Sequence, residues 1–136
     1  MENVKCVMVI DESLPLGIAM NTAGVLGISL GKKIPECVGV DVMDQDGIAH
    51  AGTIQIPVPI LKMSGEELKE LVHQVKNDEE LTMLDFTDIA QGCKVYDEYI
   101  ERSAQHKTEE FTYYGIALFG NKKKVNKLTG SLPLYR

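Results

Sequence analysis

Residues 4–10, Val4-Lys5-Cys6-Val7-Met8-Val9-Ile10, form an apolar run rich in β-branched side chains, closed by Asp11-Glu12-Ser13. Side chains along a strand point alternately to opposite faces, so a run without alternation suits a strand covered on both faces. Such a strand belongs near the centre of its sheet. Whatever else the chain forms must supply packing for both sides of that strand.

A chain of 136 residues with 44% hydrophobic content fits one domain over residues 1–136, and folding at this length buries roughly two-thirds of the unfolded surface. Cys6, Cys37 and Cys93 are odd in number and show no CxxC spacing or Cys/His cluster, which argues against a structural zinc or a disulfide framework. They are expected to be reduced and mostly buried. The amino-terminal apolar run is too short for a signal segment or a membrane span, so the sequence reads as cytoplasmic. A formal net charge of −6 opposes diffuse binding to phosphates, and any RNA contact must be local.

Ala19, Ala23 and Gly27 recur every four residues after Leu14-Pro15-Leu16-Gly17, with Gly24 beside them. That spacing predicts a helix whose backbone approaches a sheet closely, although each interior glycine costs about 1 kcal/mol relative to Ala. Gly31-Lys32-Lys33 ends it. Val38, Val40 and Val42 then alternate with Gly39, Asp41 and Met43, and Asp44-Gln45-Asp46-Gly47 predicts a hairpin turn with Gly supplying positive φ. Residues 53–59 continue as extended chain, with Pro57 and Pro59 marking an edge or a strand end.

Ser64-Gly65-Glu66-Glu67 is a capping box flanked by Met63 and Leu68 as a hydrophobic staple. Leu68, Leu71, Val72 and Val75 follow the helical period, with Glu66, Lys69, Glu70 and Lys76 on the wet side. Residues 81–86 predict a strand. Asp88 and Gln91 suggest another capping box before a stripe of Ile89, Cys93, Tyr96 and Ile100. Residues 111–119 predict the last strand, ended by Gly120, with Tyr113 and Tyr114 on opposite faces. Asn121 suits a helix cap, Val125 and Leu128 share a face, and Gly130 is placed for the left-handed conformation that ends a helix. The order of elements predicts an α/β fold, three-layer α/β/α, with a mixed, mostly parallel sheet.

In open α/β sheets, ligands gather beyond the carboxyl ends of strands. Two such places stand out: residues 11–21, containing Gly17 and Asn21, and the segment Asp85-Phe86-Thr87-Asp88. On the plainest reading Asp85 organises the turn into the next helix, and Thr112 packs on its strand. Asn21 lies among small apolar residues, and a buried amide there either ties two elements together or faces a pocket. His50, His73 and His106 have no metal-ligand spacing, and Asp44-Gln45-Asp46-Gly47 lacks the remaining ligands of a calcium loop. No metal and no cofactor is expected. Lys122-Lys123-Lys124 with Lys127 offers cations to phosphate, though a solvated helix face explains the run.

Lys127, Thr129, Gly130, Leu132, Leu134 and Tyr135, following a glycine-ended strand, resemble the carboxyl-terminal end of type II peptidyl-tRNA hydrolases. Over essentially the whole chain the sequence is similar to domain-of-unknown-function family 2000, whose members adopt a hydrolase-II-like fold. The resemblance implies a peptidyl-tRNA hydrolase II-like fold. It also implies a site built from the first strand-to-helix loop, an Asp-containing loop and a Thr opening the final strand. By position it implies Asp85 and Thr112 as catalytic residues, and Asn21, Gly17, Thr87 and Lys127 as ligand-binding residues. Asn21 falls near the family's helix glutamine, and Gln91 answers loosely to a Gln after the loop aspartate. Those hydrolases carry lysines and a histidine around the first helix entrance, whereas residues 13–24 here contain neither. Losing a cation that stabilises a developing oxyanion commonly costs several kcal/mol of barrier.

These readings predict a cytoplasmic protein that binds a small polar ligand near Asn21, Asp85 and Thr112 and hydrolyses it. One alternative is genuine peptidyl-tRNA hydrolysis with Lys122, Lys124 or Lys127 replacing the missing cation, although the acidic net charge disfavours tRNA. The other is a noncatalytic homodimer joined through the hairpin or an exposed tyrosine. No membrane partner is expected.

Overall fold

The computed structural model describes residues 1–136. The apolar run forms β1 (Val4–Asp11), in which every residue from Cys6 onward is buried. It lies inside a four-stranded sheet of order β4-β1-β6-β5, with β4 at Ile60–Met63, β5 at Leu81–Thr87 and β6 at Tyr113–Asn121. Both faces of β1 are indeed covered. Helix α1 (Leu16–Lys33) packs on one face through Ala19 and Leu26 against Met8, Ile10 and Phe86. Helices α2 (Gly65–Val75) and α5 (Lys122–Thr129) pack on the other through Leu68, Leu71, Val72, Val75 and Val125 against Val7, Val9, Ile116 and Leu118. Each such aliphatic side chain contributes roughly 1.5–3 kcal/mol by leaving water.

The sheet is mixed, as expected, but it is not mostly parallel in its pairings. β1 pairs β4 in parallel, whereas β1–β6 and β5–β6 are antiparallel. Three strands run the same way, and β6 enters between two of them in the opposite direction. The chain between β5 and β6 folds outside the edge as α3 (Asp88–Gly92) and α4 (Tyr96–Ala104), so no crossover carries it back to a parallel neighbour.

Local signals placed most elements. Ser64 accepts a hydrogen bond from Glu67 N at 3.2 Å and caps α2, and Asn121 does the same for Lys124 N and α5. Gly47 has a φ of 78°, and Asp44 Oδ1 accepts from the backbone N–H groups of Asp46 and Ile48. This tight turn joins β2 (Val42–Met43) to β3 (Ala49–His50).

Several expectations are corrected. Gly130 keeps a right-handed φ of −64° rather than a left-handed one. The single helix expected after β5 is two, because Cys93 and Val95 are extended, and its apolar stripe is interrupted: Ile89 is buried while Tyr96 and Ile100 are exposed. The strand near the prolines begins only after Pro59, and β6 begins two residues later than expected, following a short 3-10 turn at Thr108–Glu110. The small-residue stripe of α1 is not its buried line. Ala19, Thr22, Leu26 and Leu30 are buried, while Gly24 is open. The close approach comes instead from Gly115 on β6, where an added Cβ would sit 2.7 Å from both Ile10 Cδ1 and Thr22 Cγ2.

Candidate functional site

β5 is the free edge of the sheet, and a cleft of about 400 Å³ runs along it. Its walls come from three directions. Val25 and Ser29 reach it from α1, Asp85 and Phe86 from β5, and Cys93, Lys94, Val95, Tyr96 and Tyr99 from the α3–α4 segment. Alternation along β5 sends Leu84 and Phe86 toward α1, whereas Leu81 and Met83 join the α2 side, so Asp85 shares the α2-side parity. An edge strand lets both faces contribute to one cleft.

Asp85 is the chemically distinctive group there. Asp85 is exposed at the surface, and the protein around its carboxyl still pushes that group above the ordinary value, with no cation or hydrogen-bond donor acting against the shift. The Tyr99 hydroxyl is raised first by burial and then by the negative charge of Asp85; the same two causes act on Tyr113. Both phenols therefore stay protonated beside a carboxylate with no protein partner. Desolvated, unpaired ionisable groups in clefts are candidates for binding or proton transfer. Arg102 stands nearby but is engaged, with its Nη1 3.7 Å from Cys93 Sγ and 3.7 Å from Glu98 Oε1. The arrangement can accept a hydrogen bond or a proton at Asp85, donate one from Tyr99, and stack a ring against Tyr96.

The other residues singled out from the sequence gather elsewhere. Asn21 is exposed rather than buried, and its Nδ2 donates to Gln91 Oε1 at 3.1 Å, tying α1 to α3. Thr87 is buried and caps α3, accepting from Ala90 N at 3.3 Å. Thr112 is exposed; its backbone N–H donates to Asp88 Oδ1 at 3.1 Å, and its carbonyl accepts from Asp88 N. Asn21, Thr87 and Thr112 share the end of the sheet where β1 and β5 finish. None of Asn21, Thr87, Thr112 and Gly17 lines the cleft that holds Asp85. Gly17 is exposed in the first turn of α1 with open space where a Cβ would stand. Lys127 is exposed on α5, the helix packed on the far face of the sheet from α1.

The basic run is partly engaged. Lys124 Nζ binds Asp78 Oδ2 at 2.7 Å and lies 3.4 Å from Glu80 Oε2, an arrangement that lowers the Asp78 carboxyl and raises the lysine. Tyr113 is buried, and Tyr114 on the opposite face packs against Phe86 with ring centroids 6.4 Å apart. The sequence does not announce the aromatic wall formed by Tyr96 and Tyr99, because Tyr96 fits a packed helical stripe and Tyr99 stands outside it. The available signal was the break at Gly92-Cys93-Lys94-Val95. No group of three or more His, Cys, Asp or Glu side chains is arranged to hold a metal, and no helix is long and apolar enough to cross a membrane.

A family model described as protein of unknown function (DUF2000) matches residues 4–136. The solved structure of Atu0240, a protein of unknown function from Agrobacterium tumefaciens strain C58, is similar over 100% of both chains with a TM-score of 0.88 and 17% identity. At that identity the likeness concerns the fold alone. No curated protein matches the chain.

Proposed function

This chain belongs to the DUF2000 family, and from that premise we propose that it is a small-ligand-binding protein whose site is the β5-edge cleft, with Asp85 as its proton-accepting group. One observation carries the reading: Asp85, a carboxylate in none of the chain's ion pairs, lines a cleft with Tyr96 and Tyr99 whose volume lies within the roughly 300–1,000 Å³ range of small-molecule sites. The peptidyl-tRNA hydrolase II-like architecture and a cytoplasmic setting belong to the same proposal. They are supported by the three-layer mixed sheet and by the free state of Cys6, Cys37 and Cys93.

Hydrolysis at this site would require Asp85 to act as general base toward a water molecule, and so to be free of any ion pair with the ligand. Thr112, Asn21, Gly17 and Thr87 support the neighbouring loops rather than touching the ligand. Lys127 and the lysines before it lie on another helix, which weighs against genuine peptidyl-tRNA hydrolysis. Amide-resolved NMR during a fragment screen tests the binding site. Shifts should concentrate on Ser29, Ala90, Cys93 and Tyr99, and a response confined to residues away from the cleft defeats the reading. Ester and amide hydrolysis by wild type and Asp85→Ala separates binding from catalysis, since equal rates remove Asp85 from any catalytic role.

A homodimeric module is a second reading with its own observation. The hairpin of β2 and β3 leaves Val40 86% exposed, with Val42, Met43 and Ile48 beside it, and contiguous exposed apolar patches mark interfaces. Sedimentation that shows only monomer at high concentration removes it.

A further inference from the structure

Resting on the cleft reading, we propose that the ligand of the β5-edge cleft is a small organic ammonium ion, recognised by Asp85 as counter-charge and by the rings of Tyr96 and Tyr99 as an aromatic wall. The inference comes from the sign and kind of groups that converge there. The cleft has a single carboxylate, Asp85, among aromatic side chains of Phe86, Tyr96 and Tyr99. Asp85 belongs to none of the chain's ion pairs. An anionic ligand would meet an unneutralised carboxylate, whereas an ammonium would supply the missing partner and its hydrogen-bond donors.

The aromatic geometry points the same way. Tyr96 and Tyr99 meet edge to face, with centroids 5.5 Å apart and planes at 79°. Tyr96 remains 72% exposed, so a ring face is left available to a cation. The Tyr99 hydroxyl, held protonated, keeps that ring neutral. Lys94 lines the cleft, and Arg102 reaches the Cys93 sulfur on its wall. Arg102 is already held by Glu98 and directed at Cys93, and Lys94 is exposed and outside every ion pair. Lys94, unpaired on the cleft wall, repels an ammonium, so the head belongs on the Asp85 side of the cleft, with its apolar portion against Phe86 and Val25. The net charge of −6 further favours the approach of cations.

Titration of the full chain with phenethylamine, phenethyl alcohol and phenylacetate, followed by amide shifts, tests this. The three share a ring and differ in charge. The ammonium should bind at least about tenfold more tightly than the alcohol, the ratio expected of one charge-assisted contact, with phenylacetate weakest. Asp85→Asn should bring the ammonium down to the affinity of the alcohol. Tyr96→Leu, an exposed substitution, should weaken the ammonium more than the alcohol. Cleft shifts with the alcohol or phenylacetate binding as tightly as the ammonium would overturn the cation preference and leave the cleft as a ligand site. Absence of cleft shifts with all three would overturn both.

Discussion

Helices α2 and α4 carry comparable amphipathic patterns and meet opposite fates. α2 buries Leu68, Leu71, Val72 and Val75 against β1 and β6, whereas α4 buries no residue at all and leaves Tyr96 and Ile100 in water. The difference lies in what each helix faces. α2 follows β4 directly from a capped start and lies over the middle of the sheet. α4 lies beyond the last strand, where no further strand exists to complete a packed layer. Unfilled aromatic and apolar positions beside a lone carboxylate are poor stabilisers and good recognition groups, so the molecule divides into a closed half that holds the fold and an open half that presents chemistry.

The sharpest way to break this division is to truncate both helices. Leu68→Ala should cost about 2–5 kcal/mol in denaturant unfolding through lost burial and a residual cavity, whereas Ile100→Ala should stay within about 0.5 kcal/mol. Equal losses would mean that α4 is as firmly packed as α2. Gly115→Ala should cost roughly 1–3 kcal/mol, because the new methyl meets Ile10 and Thr22 at 2.7 Å. Removing the α2 cap with Ser64→Ala should cost about 1 kcal/mol. Gly24→Ala, on the open side of α1 with nothing within 4 Å, should instead raise stability by up to about 1 kcal/mol.

The smallest expected effect is on pH dependence, and it sharpens the assignment of Asp85. Because burial raises its folded-state pKa, the folded protein holds this proton more firmly than the unfolded chain does. The favourable contribution is complete below the unfolded pKa and is lost as pH rises through the folded one, leaving a charged, partly desolvated carboxylate at neutral pH. Asp85→Asn should therefore raise the melting temperature at neutral pH, with the gain fading in acid. A mutant less stable than wild type at neutral pH would show that Asp85 has a partner that offsets its burial.

Much of the fold was legible residue by residue. The apolar run at residues 4–10 announced an inner strand, Ser64 and Asn121 announced helix starts, and Asp44 with Gly47 announced a tight turn. The candidate site was legible only in part. Asp85 lines the β5-edge cleft, whereas Asn21 and Thr112, chosen with it, serve Gln91 and Asp88 on neighbouring segments. Proximity in a family pattern does not fix where an exposed amide turns, because that depends on which donor or acceptor the far chain brings within about 3 Å.

By itself the sequence determined which segments become strands and helices, where caps and turns fall, and that both faces of β1 must be covered. Those are short-range matters of periodicity, capping and allowed φ. Tertiary structure alone decided that β6 enters between β1 and β5, that α4 is left with Tyr96 and Ile100 exposed, and that Asp85 and Tyr99 line one cleft with Asp85 in no ion pair. Burial and electrostatics depend on surfaces supplied from distant parts of the chain, and no local pattern encodes which neighbour will be absent.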